Sequence, residues 1–460
     1  SASLHACAFA HGDGTGDGGM NFTGGTFLVD GTGNFGGEGN WTLSSLTFGD
    51  GSGTATTTAI GAAGMNVSGV LTIANEQTLN AAAKIWTLSG SGTPFVPTGT
   101  LTPATSTFRY TGTSATNVSA ATYNNLSLVP SSGTPVYTLG TGASQTLRTN
   151  GMLVIGNNNA LTVTADTHDP AIDVRGDVLI EVNAVYTKGS GITTFQSGIE
   201  QVVADNTAAK QDLGACTVAA NGTNTTLTIL TSVKVTSLDV AANQSLSLNG
   251  ANVLTLTGSG TGASRPFAWG GGSGSFLTFT GGIVYSGTAD LEVEPLAYYN
   301  LTLAPSTAAT GVMTLGTAAS QTMTVNNNLV IGDGTNAVSV TANTYQTVLD
   351  ANCNIAIMAN AAFSAATNSA LTVAGNWTNG GTFTHNSGTV TFDDNSKISN
   401  ITGVTAFNNF TCVTAGKTLQ FQAHSGGAPV ITFAGTFTIT GLNGDPVYLY
   451  STASGTQWKA

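Results

Sequence analysis

One stretch of this chain is written twice. Residues 137–186 (YTLGTGASQTLRTNGMLVIG…) align with residues 313–363 (MTLGTAASQTMTVNNNLVIG…), so that Leu139 maps to Leu315, Ile155 to Ile331, Ile180 to Ile357 and Tyr186 to Phe363. The offset drifts only from 176 to 177. Self-similarity at a long fixed period marks a repeat architecture, in which each unit buries its apolar face only by stacking on its neighbours.

Shorter echoes set the register. An aromatic strand recurs at Tyr110, Phe195, Tyr285 and Phe392, at intervals of 85, 90 and 107 residues. A second phrase follows three of these: Tyr123-Asn124-Asn125-Leu126, Tyr298-Tyr299-Asn300-Leu301 and Phe407-Asn408-Asn409-Phe410. The long interval holds 20 extra residues between Phe363 and Phe392, roughly SAATNSALTVAGNWTNGGTF, and without them it shrinks to 87. A solenoid gains or loses a whole rung because each rung touches only its neighbours. The spacing therefore predicts rungs of about 20–25 residues and a superrepeat near 87 residues.

The local pattern agrees. Segments such as ALTVTAD, TLTILTSVKVTSLDV and SLSLNGANVLTLTG alternate apolar residues with Thr, Ser or Asn at period two, and Gly, Asn, Ser and Asp punctuate them. No capped helical period stands out. We expect an all-β, elongated parallel β-helix (β-solenoid). Its interior should hold Leu126, Leu128, Leu301, Leu303, Val330, Ile331, Val390 and Phe392, with Tyr123 and Tyr298 in equivalent places. The alternative is a string of Ig-like β-sandwiches, since 87 residues would fit one such domain; linkers at that spacing are not visible. The expected divisions are an N-terminal segment and Gly-Asp linker (1–20), a degenerate first unit (21–106), a second (107–192), a third (193–282), a fourth with one extra rung (283–389) and an incomplete fifth (390–460).

Composition narrows the functional classes. Only 7% of residues are charged and the net charge is −12 with 11 Lys plus Arg, so no basic footprint for nucleic acid exists. No apolar run is long enough to span a membrane. The opening SASLHACAFA is too short for a signal peptide, and residue 1 reads as a mature terminus after export, which places the protein outside the cell or at its surface. Cys7, Cys216, Cys353 and Cys412 form no CxxC and read as buried single thiols.

Candidate sites are sparse. Asp166, Asp169, Asp173 and Asp177, with His168 and Arg175, form the one dense charge cluster. It reads as a solvated turn with ion pairs; the functional alternative is calcium held by carboxylate oxygens. His5, Cys7 and His11 are weak transition-metal candidates, and Gly12–Gly19 reads as a flexible linker. Twelve Asn-x-Ser/Thr sequons occur, including Asn40, Asn125, Asn300, Asn376 and Asn409; Asn, Ser and Thr are common enough here to give that number by chance. No catalytic set emerges, so no enzyme and no cofactor is expected. Neither end reads as a polar cap, and the strand-like segment Leu4, Ala6, Ala8, Phe9 is the candidate for pairing with the open edge of a neighbouring copy.

The phrases GNWTNGGTFTHNSGTVTF (375–392), FNNFTCVTAGKTLQF (407–421) and VYLYSTASGTQWKA (447–460) resemble those of large exported, repetitive β-helical surface proteins of uncultured bacteria. The resemblance implies architecture and address, not an activity. The expectation is a structural extracellular protein, a subunit of a fibre, sheath or stalk that contacts copies of itself end to end. An adhesin-like module that binds glycans is the second reading and a carbohydrate-active β-helix enzyme a remote third.

Overall fold

Short alternating strands bury one face each, and the Gly- and Asn-rich corners between them turn the chain too soon for a helix or a long hairpin. Coiling satisfies both demands, because each strand pairs with its counterpart one turn later. The computed structural model describes residues 20–424 and 430–459 in full and the backbone of 2–5 and 9–11. It is all-β, a parallel β-solenoid of about 18 turns, with one 3-10 turn at Gly262–Ser264 and no α-helix among the described residues. Two compact units divide it, Ser1–Val233 and Lys234–Ala460.

In the first unit one turn runs through strands Asn125–Leu128, Val136–Leu139 and Thr146–Thr149, then re-enters the first sheet at Leu153–Ile155. Each strand belongs to a different parallel sheet. In the second unit a comparable turn runs through Val338–Thr341, Val348–Ala351 and Asn354–Ile357 before Ala361–Ser364. Strand after strand pairs in parallel with the turn before and the turn after. Sandwich domains are antiparallel, so the Ig-like alternative is excluded. The rungs vary more in length than the expected 20–25 residues: Phe108 lies beside Leu126, 18 residues on, and Leu419 beside Leu449, 30 residues on. The strands are fixed by register, whereas the corners absorb the difference.

The interior follows the alternation. Leu126, Leu128, Leu301, Leu303, Ile331, Val390 and Phe392 are buried as expected. Val330 is not: it is half-exposed on the outer face, and its neighbour Leu329 points inward. Adjacent residues of a strand face opposite sides, so Val330 and Ile331 cannot share the core. Later turns of the second unit carry a file of aromatics, with Trp377 4.8 Å from Phe383 and 5.2 Å from Phe407, and Phe433 4.4 Å from Phe437. The buried indole N–H of Trp377 donates to Thr405 Oγ1 at 3.1 Å.

The duplication is structural down to single hydrogen bonds. Tyr110 and Tyr123 bring their hydroxyls to 3.1 Å in one unit, and Tyr285 and Tyr298 do the same at 3.1 Å in the other. Tyr123 then donates to the carbonyl of Ser119, and Tyr298 to that of Glu294. Gln145 Oε1 accepts from the amides of Thr141 and Gly142; Gln321 Oε1 accepts from those of Thr317 and Ala318. Gly156 (φ 89°) and Gly332 (φ 85°) close matching corners, where a Cβ would meet the Cβ of Ala184 at 2.7 Å and of Ala361 at 2.8 Å.

In the longest interval Phe363 lies beside Phe383 and Ser364 beside Thr384. Residues 364–383 therefore make one complete turn, and removing them brings Asn354 beside Asn400 and Ile355 beside Ile401. We predict that the 364–383 deletion variant keeps its β-type circular dichroism and a cooperative thermal transition. Loss of that transition would refute the turn assignment.

Candidate functional site

Polar side chains in this chain are spent first on joining turns. In the second unit, Asn328 Nδ2 donates to Asn300 Oδ1 and Asn354 Nδ2 to Asn328 Oδ1, both at 3.2 Å. The Asn376 amide donates to Asn354 Oδ1 at 2.9 Å, and Asn400 donates to Asn376 Oδ1 through its backbone and side chain. Five turns are thus linked by one row of asparagines, each in register with the next. The direction is consistent. Asn125 donates back to Thr107 Oγ1 and accepts from the Met152 amide of the following turn; Asn409 donates back to Thr389 Oγ1 and accepts from Thr436. The second asparagine position of the recurring aromatic phrase, Asn125, Asn300 and Asn409, is thus a turn-to-turn link, which the sequence shows only as a phrase. Four of the five sequons named above, Asn125, Asn300, Asn376 and Asn409, take part in such bonds, and Asn40 Oδ1 accepts from Gly64 at 3.2 Å.

Two lysines were also missed. Lys417 is fully buried, and its ammonium donates to the carbonyls of Ala374, Asp394 and Lys397 at 2.8, 2.7 and 2.9 Å. Lys84, also buried, donates to the carbonyls of Gly61 and Ala63 at 2.7 and 2.8 Å. Each stands immediately before a strand in a charge-poor chain, which is the one signal that could have found them. Three ammonium protons match three carbonyls at Lys417, so the group ties together corners from successive turns.

The acidic cluster is distributed rather than convergent. Asp173 pairs with Arg148, with Arg175 at 3.4 Å, and accepts from Gln196 Nε2 at 2.6 Å. Asp177 accepts from the Val202 amide at 2.8 Å, Asp169 from the Ser190 amide, and Asp166 from Thr164 Oγ1. The structure brings arginines to Asp173, not the other three carboxylates. Among the described residues no group of three or more His, Cys, Asp or Glu side chains is arranged to hold a metal ion. Cys216, Cys353 and Cys412 are free and buried, and burial pushes the Cys353 thiol up to about 12, far from a reactive thiolate. Cys7, Ala6, Ala8 and the Gly12–Gly19 stretch lie outside the described residues, as do the side chains of His5, His11, Leu4 and Phe9. The backbones of Leu4 and Phe9 pair within the chain, beside Val29 and Phe35.

In the second unit, strands Leu291–Val293, Val312–Leu315, Val338–Thr341, Ala361–Ser364 and Thr382–Thr384 form one sheet. Its outer face floors an open groove of about 680 Å³. Thr314, Ser339, Thr341, Ser364 and Thr384 supply hydroxyls, Asp290 and Glu292 supply carboxylates, and the Thr344-Tyr345 corner forms a wall. Tyr345 donates to Glu292 Oε1 at 2.6 Å, which holds its own pKa above the usual phenol value; Glu292 Oε2 accepts from the Gly262 amide at 2.8 Å. Beside them Glu294 is buried against Arg265 at 2.7 Å; burial raises its pKa, opposed by the guanidinium.

Fold and polar network together define a repetitive parallel β-solenoid whose turns are cross-linked by side-chain amides and buried ammoniums. No protein-family model, curated protein or solved structure matches the chain. No helix among the described residues is long and apolar enough to cross a membrane.

Lys417→Met should lower stability by about 3 kcal/mol, because it removes three bonds from a charged donor, worth about 1.5–3 kcal/mol each, against the relief of no longer burying an ammonium. Urea unfolding measures this. Burial, opposed by Asp394, also pulls the Lys417 pKa down to about 8, below the ordinary lysine value of 10.5. The unfolded chain then holds more protons between these values, so this group's contribution rises with pH through that window and is lost as pH falls through about 8. The wild-type midpoint should therefore rise relative to Lys417→Met between about pH 8 and 10.5; a pH-independent difference would contradict it.

Proposed function

We propose that this chain is a structural protein of the cell exterior, a building element of a surface fibre, sheath or stalk. The observation that carries the reading is where the polar chemistry goes. Asparagines run turn to turn, the two buried lysines tie corners, and Asp173 is saturated by Arg148, Arg175 and Gln196. These groups hold a repetitive body together instead of converging on a substrate. The low charge and the resemblance to exported repetitive surface proteins support the same reading. Copies of the chain are the proposed partners, since parallel stacks present unpaired backbone at their ends and another stack can satisfy it. The reading includes no catalytic step.

Negative-stain microscopy of the purified chain over a concentration series tests it. End-to-end association into filaments is expected; particles that stay single at every concentration would overturn the fibre role. Incubation with pectin, alginate, chitin and β-glucan should release no more reducing ends than a boiled control, and release above that level would move the protein to the enzyme class.

A further inference from the structure

From the groove on the second unit we propose a binding site for an uncharged oligosaccharide, laid across the stacked strands between Glu292 and Thr384. The inference goes beyond a structural role and does not require the chain to form filaments.

The floor has the chemistry of a sugar site. Thr314, Ser339 and Thr341 present hydroxyls, each able to donate and accept, as sugar hydroxyls do. Tyr345 adds an aromatic wall, and aromatic faces pack against apolar ligand surfaces. No lysine, arginine or histidine lines the groove, while Asp290 and Glu292 do. That charge repels phosphates, sulfates and uronates and leaves neutral sugars. Five strands about 4.8 Å apart span roughly 19 Å, room for several rings in a row.

The duplication supplies an internal comparison. Register places Leu291 beside Met313 and Thr116 beside Tyr137, and Met313 is the repeat counterpart of Tyr137. Asp290, Glu292 and Glu294 therefore correspond to Ala115, Asn117 and Ser119, and Tyr345 to His168. The inward residues stay apolar in both copies: Val293 and Val118, Leu315 and Leu139, Val340 and Val163 are all buried. The outer floor also stays similar, with Thr138, Thr162 and Thr164 facing Thr314, Ser339 and Thr341 across the alignment. What differs is the acids, the tyrosine and the added strand Thr382–Thr384, since the corresponding sheet of the first unit is 4-stranded. The fold tolerates neutral residues and a histidine at those positions; in the second unit Glu292, held by Tyr345 and by the Gly262 amide, instead fixes the tyrosine as the wall of the groove.

The first unit's residues make the test variant. Full-length wild type, the double variant Glu292→Asn/Tyr345→His and Ser339→Arg are titrated by calorimetry with cellotetraose, mannotetraose, N-acetylated chitotetraose and tetragalacturonate. Ser339 is exposed, so the arginine fills the groove without entering the core. Wild type should bind at least one of the three uncharged tetrasaccharides and prefer it to tetragalacturonate. Both variants should weaken that binding at least about tenfold, and Ser339→Arg, on the exposed face, should keep the wild-type thermal midpoint. If the double variant unfolds, Ser339→Arg alone decides. The proposal is overturned if wild type binds none of the uncharged probes, if tetragalacturonate binds as well, or if a folded variant binds like wild type.

Discussion

Everything in this molecule depends on parallel pairing between successive turns. A strand of three or four residues has no stability alone; its amides and carbonyls are satisfied only by the turns before and after. Parallel register also sets side chains of the same type side by side at about 4.8 Å. From that spacing come the asparagine row Asn300–Asn400 and the aromatic file from Trp377 to Phe437. The ladder and the core are consequences of stacking like on like.

The same constraint explains why the duplication kept some features and lost others. Corner geometry is tied to register, so Gly156 and Gly332, Gln145 and Gln321, and the two tyrosine pairs persist. Side chains off the core are less constrained, and there some positions diverge: Arg148 and Arg175 flank Asp173, whereas Thr324 and Asn352 take their places around the counterpart Asp350, and Glu292 with Tyr345 stands where the other copy has Asn117 and His168. Function that requires variety has only the outer faces and the corners on which to develop.

Much of the architecture was legible in the sequence because solenoid packing writes itself at period two and repeats. The whole-turn insertion was readable as arithmetic, since register requires extra residues to come as a complete turn. Other features were not legible. Val330 was misplaced because an apolar pair at a strand end does not say which member faces in, and Leu329 settles it only through pairing. Lys84 and Lys417 look like surface charges until three-dimensional corners bring carbonyls to them. The groove was invisible because Glu292 lies 53 residues before Tyr345, on an earlier turn than Ser339 and Tyr345, and no motif joins them.

The asparagine ladder bears on how the chain can be produced. At Asn117, Asn125, Asn300, Asn400 and Asn409 the side-chain nitrogen that a glycosyltransferase would modify already donates to the preceding turn. Each of these asparagines also heads an Asn-x-Ser/Thr sequence. In a eukaryotic secretory host, coil formation and sugar attachment compete for the same amides. A nitrogen modified first can no longer make its bond to the turn behind it as it does here, so the host's timing, and not the sequence alone, decides how tightly the finished coil is laced.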